Sequence, residues 1–176
     1  MDEEIAKLGK KQLQQGLTYD QAVYLFIEQT SGVVKDAVQI LKRELDAIEE
    51  SELSKMEEEL GYFFLFALDY WWQMDYPHTK EQKRTLDKVF GYHLERCCGD
   101  DVQGQAMWDA LQERFIAYSG IVNEQTDDSA KLHSFAKKLS EYSGVGYLHF
   151  AILVPSLFKT ALDTISVLKS DKGRSK

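Results

Sequence analysis

The sequence predicts an all-α protein, a single-domain bundle of six or seven mostly antiparallel helices. Three observations carry that expectation. Apolar residues recur at three-four spacing through most of the chain, the mark of helices with one buried stripe. Val/Ile/Thr runs of period two are nearly missing, and with only two prolines the punctuation of a β protein is missing as well. The intervals between the striped segments are short, two to eight residues, as between antiparallel neighbours in a bundle.

The elements follow in order. Ile5, Leu8 and Leu13 begin a short helix that closes near Gly16. Thr18 and Gln21 have capping-box spacing and open a helix through about Gln29. Ser31-Gly32 is expected to break it, after which Val34, Ala37/Val38, Leu41, Leu45 and Ile48 form a stripe. Ser54 with Glu57 reads as a second capping box, placed before an aromatic helix over 57–76 that Pro77 ends. Thr79 with Gln82 opens a helix striped by Leu86, Val89/Phe90 and Leu94, with Gly99 past its end. Asp100 or Asp101 caps the next, which carries Met107, Ala110/Leu111, Phe115, Tyr118 and Val122. Asp127 or Asp128 caps another, with Leu132, Phe135/Ala136, Leu139 and Tyr142. Ser143-Gly144-Val145-Gly146 then separates it from a last helix, Tyr147 to about Leu168.

One domain over 1–168 fits a chain of 176 residues, long enough to bury roughly 70% of its unfolded surface. Residues 1–50 can form a semi-independent helical hairpin, and 169–176 read as a disordered basic tail. The net charge is −8. Residues 44–59 hold eight acids against Lys55, a segment charge of −7, and read as a solvated helix face. Such an acidic body repels phosphate backbones, so nucleic acid is not an expected partner. The alternative of a helix-turn-helix ending in VVKDAVQILKRELDAIEE fails on the acids of its would-be recognition helix. No segment is long and charge-free enough to span a membrane. Adjacent Cys97 and Cys98 point apart on a helix, and no apolar leader opens the chain, so reduced thiols and a cytoplasmic location are expected.

The stretch LGYFFLFALDYWWQMDYPH concentrates rings around one carboxylate, Asp69. On a helix, Leu60, Phe64, Ala67/Leu68, Trp71 and Met74 make the core stripe. Glu58, Tyr62, Leu65/Phe66, Asp69, Trp72/Gln73 and Tyr76 make a second face with polar tips. That face must be covered: by a partly polar core layer, by a homodimer or other protein partner, or by a ligand in an inter-helix pocket. Asp69 needs a partner under each reading, because burying it alone costs several kcal/mol. Tyr62, Phe66, Asp69, Trp72, Gln73 and Tyr76 are therefore the candidate interface or ligand residues, with His93 as a further pocket candidate.

Other chemistry is poorly supported. His93 and Cys97 stand four apart, yet no second Cys/His pair completes a zinc site. His133 shares a polar face with Ser129, Lys137 and Ser140. His149 shares one with Ser156, Thr160 and Asp163, without the nucleophile elbow a hydrolase requires. Asp75 and His78 are separated by Pro77, and no Glu-x-x-His occurs, so a di-metal carboxylate bundle is not expected. No metal or cofactor is expected. Pro155 should bend the last helix and can open a cavity near Phe150–Phe158. The reading is a non-catalytic cytoplasmic binding protein, homodimeric through the aromatic helix. The alternative is a small-molecule binder or enzyme with its pocket around Asp69.

Overall fold

Five helices make up the regular structure of the residues described by the computed structural model, which are 19–44, 48–75 and 101–170. They are α1 (Tyr19–Glu44), α2 (Glu50–Asp75), α3 (Asp101–Glu124), α4 (Asp128–Ser143) and α5 (Tyr147–Ser170). The all-α class is thus observed. The helices expected over 5–16 and 79–98, and with them Tyr76, His78, His93, Cys97 and Cys98, lie outside the described residues.

The expected break at Ser31-Gly32 does not occur, because α1 runs through it without interruption. Glycine inside a helix costs about 1 kcal/mol relative to alanine. Burial of Val34, Val38 and Leu41 against the core offsets that several times over. Gly32 is exposed, and a Cβ there would meet nothing within 4 Å. Gly32→Ala is accordingly expected to stabilise the chain by about 0.5–1 kcal/mol, read as a higher urea midpoint at unchanged m. A lower midpoint would show that the glycine is needed where it stands.

The start of α2 also differs from expectation. The helix begins at Glu50, so Ser54 lies inside it, where its hydroxyl donates to the Glu50 carbonyl at 3.4 Å. The first turn is instead closed by Glu52, whose carboxylate accepts from the Glu49 N–H at 3.3 Å. Acidic side chains at this end sit where the helix dipole favours them. Lys42 of α1 reaches Glu50 at 2.6 Å across the turn.

Further along, the expected punctuation is found. Asp127 caps α4 by accepting from the Ala130 N–H at 2.8 Å. Gly144 ends it at φ 71°, with its N–H donating to Ser140 O, a left-handed conformation suited to glycine. Pro155 lies within α5. Its own position is exposed, while Phe150, Val154, Leu157 and Phe158 around it are buried.

α2 is central: it packs against α1, α3, α4 and α5. Its run from Tyr62 to Leu68 is buried at every position, which accounts for a helix apolar nearly all round.

Candidate functional site

The rings of α2 reach three other helices. Phe63 sits 5.2 Å from Phe135 of α4, 5.9 Å from Tyr118 of α3 and 6.2 Å from Phe158 of α5, centroid to centroid. Phe66 meets Phe115 edge-on at 5.5 Å and Tyr118 at 5.3 Å. These separations and tilts are those that favour aromatic pairs. The second face of the aromatic helix is thus covered at Tyr62, Leu65 and Phe66 by α3 of the same chain, where Leu111, Trp108 and Phe115 pack against it. An interface formed directly through Tyr62 and Phe66 would require α3 to move away.

Asp69 is half-buried and accepts a hydrogen bond from Gln73 Nε2, one turn along the same helix. Gln73 is itself exposed, as is Met74 at 63%. In the C-terminal turn of α2 the described side chains Gln73 and Met74 are thus exposed. The Trp72 side chain, Tyr76 and His93 lie outside the described residues.

The most concentrated chemistry lies where the sequence reading does not place it. Glu59, taken there as part of a solvated acidic face, is buried. Its carboxylate accepts two bonds from Arg114 of α3, Oε1 from a terminal nitrogen at 2.7 Å and Oε2 from Nε at 3.2 Å. The two side chains are only 7% and 14% exposed. The guanidinium also donates to Glu113 at 3.1 Å. It lies 4.0 Å from the ring centroid of Tyr142 in α4 and 5.6 Å from that of Tyr62, within range for cation–π attraction. The hydrogen bond to Glu59 raises the Arg114 pKa, against an opposing effect of burial. This planar fork is matched to a carboxylate already in place. The arrangement ties α2, α3 and α4 together, and the guanidinium is already engaged by two carboxylates of the same chain.

Two tyrosines complete the cluster. The Tyr62 hydroxyl donates to Glu58 at 3.3 Å. The Tyr118 hydroxyl is buried with no hydrogen-bond partner among the described residues. Burial, and then the negative charges of Glu58 for Tyr62 and Glu59 for Tyr118, hold both phenols protonated above their ordinary range. An unpartnered buried hydroxyl costs about 1–3 kcal/mol. Tyr118→Phe keeps the ring and removes that cost, so a gain of about 1 kcal/mol in unfolding free energy is expected. A loss of similar size would reveal a bond to the hydroxyl.

The raised phenols also fix a pH response. The folded chain keeps protons that unfolded tyrosines release near pH ~10, so above that pH the unfolded state binds fewer protons and stability falls as pH rises. Urea midpoints at pH 9 and 11 should show the decline. A flat midpoint would contradict it.

Two histidines, His133 and His149, lie within the described residues. His133 Nδ1 shares a 2.7 Å hydrogen bond with the Tyr147 hydroxyl. His149 Nδ1 is buried without a partner among the described residues, whereas Ser156 and Asp163 are exposed. Among the described residues, no group of three or more His, Cys, Asp or Glu could hold a metal ion. None of their helices is long and apolar enough to cross a membrane. The chain matches no protein-family model, no curated protein and no solved structure.

The sequence does carry a signal for the ion pair. Arg114 is the one base in α3, and Leu111 and Tyr118 stand three before and four after it, on the inward stripe. A lone arginine on a buried stripe requires a buried acid opposite.

Proposed function

We propose that the chain is a non-catalytic helical interaction protein that works as a homodimer. The observation that carries this reading is the contrast between a closed interior and large aliphatic side chains left in the open. The rings of Phe63, Phe66, Tyr70 and Trp71 pack within one chain, while Leu148 and Ile152 of α5 are 72% and 57% exposed, one turn apart. Single exposed apolar residues are ordinary, but neighbours on one helix face mark a surface for binding. The aromatic helix then serves as the frame that holds this surface, with Gln73 and Met74 in its last turn open to a partner. The adjacent thiols Cys97 and Cys98 support a cytoplasmic setting for it.

Molar mass by light scattering over a hundredfold dilution tests the reading. A species of about 41 kDa, twice the 20.3 kDa chain, at the concentrated end supports it. A 20.3 kDa species at every concentration sinks it.

A further inference from the structure

We infer that the Tyr118 hydroxyl is a reserve donor for the Glu59 carboxylate, idle while Arg114 is seated and engaged when the guanidinium swings out toward solvent. The ion pair between α2 and α3 is then a latch with two arrangements. This holds whether or not the chain dimerises.

The register of the two helices brings the parts together. Glu59 and Phe63 stand one turn apart on α2, and Arg114 and Tyr118 stand one turn apart on α3. Two contacts join the helices there: the fork from Arg114 to Glu59, and the edge-on rings of Phe63 and Tyr118 at 5.9 Å. Side chains of a helix lean toward its N-terminus, so the long phenol of Tyr118 is directed back over the turn that holds Arg114. The charges of Glu59 and Arg114 both act on its hydroxyl.

That hydroxyl is buried and has no hydrogen-bond partner among the described residues. Protein interiors leave few polar groups unpaired, and each one needs a reason. Here the carboxylate beside it has both oxygens taken by the guanidinium, which fixes the plane of the carboxylate. Once the fork leaves, Glu59 is free to turn about its own side-chain bonds, and the Tyr118 hydroxyl replaces one of the lost donors.

Arg114 has an outward path. Its side chain keeps 14% exposure, and its other terminal nitrogen already donates to Glu113, which is 63% exposed. The Tyr142 ring, 4.0 Å from the guanidinium, offers a face along which the cation can slide outward without losing its π contact. In the released arrangement Arg114 keeps Glu113 and gains water, while Glu59 keeps a donor. Neither charge is stranded, so the release escapes much of the cost of breaking a buried pair.

Two readouts test the latch. The first is urea unfolding of Tyr118→Phe in the parent and in Arg114→Met. With Arg114 present, the substitution removes an idle hydroxyl and should raise the midpoint at unchanged m. With Arg114 absent, it removes the donor to Glu59 and should lower the midpoint, a reversal of sign that marks the coupling. The second readout needs only Tyr118→Phe, and so decides even where Arg114→Met fails to fold. Phenylglyoxal condenses with accessible guanidinium groups. Its rate at the Arg114 peptide, followed by mass spectrometry on the folded chain, reports how often the latch opens. Loss of the reserve donor should slow that reaction by roughly tenfold, while the exposed Arg43 reacts at the parent rate. A midpoint that moves in the same direction in both backgrounds overturns the inference, as does an Arg114 rate that Tyr118→Phe leaves unchanged.

Discussion

Replacing Arg114 by methionine is expected to destabilise the chain by about 3 kcal/mol, because it leaves the Glu59 carboxylate buried without its counter-charge. The low end of the usual range applies, since Arg114 retains 14% side-chain exposure and water can reach the edge of the site. Methionine preserves most of the volume, so the loss reports the charge and not a cavity. The partner substitution decides the interpretation. Glu59→Leu combined with Arg114→Met removes both charges, and buried ion pairs replaced by apolar residues are often neutral in stability. The double variant should therefore recover to within about 1 kcal/mol of the parent, with a coupling energy of at least about 2 kcal/mol in the four-member cycle. Urea unfolding of the four proteins measures it. If Arg114→Met alone costs under about 1 kcal/mol, the pair does not fasten α2 to α3 as its geometry suggests.

Phe63→Ala is expected to cost about 3–5 kcal/mol, the largest effect of any single truncation considered. The ring is fully buried and touches the rings of α3, α4 and α5 together, so no one helix can move in to fill the space. For a chain of this size the loss corresponds to a melting temperature lower by roughly 10 °C. It is also a large share of the total stability of a typical domain, about 5–15 kcal/mol. Near-ultraviolet circular dichroism should weaken with it, since Tyr118, Phe135 and Phe158 lose the ring that orders them. Phe63→Leu, which keeps most of the volume, should cost about 1.5 kcal/mol or less. Equal losses for the two variants would mean that ring shape, and not filled volume, governs the site.

Much of the architecture could be read from local pattern. The stripe Phe150, Val154, Leu157 and Ala161 is buried as its spacing implies, and Asp127 and Gly144 close α4 as their side-chain and backbone chemistry demands. Such features depend on residues within one or two turns of each other. The misreadings arose where distant partners decide. Ser31-Gly32 is a plausible stop by local propensity, yet the burial of Val34 and Val38 carries the helix through it. Glu59 looks like its neighbours Glu57 and Glu58, and only Arg114, far along the chain, distinguishes it. The aromatic helix was legible as a helix with two covered faces. That α3 covers the second face at Tyr62 and Phe66 depends on how helices are ordered in space, which stripes do not encode.

One hydrogen bond between α2 and α5 gives the molecule a built-in optical label. Trp71 donates its indole N–H to the Phe158 carbonyl at 3.3 Å and packs edge-on to Tyr70 and tilted against Phe158, so its emission depends on α2 remaining docked on α5. Trp108 packs instead in the small cluster between α2 and α3. With Trp72 replaced by phenylalanine, the two remaining indoles look into different seams of one fold. Fluorescence of each alone, followed through denaturant, would then reveal whether α3 and α5 come away from the central helix together or in sequence.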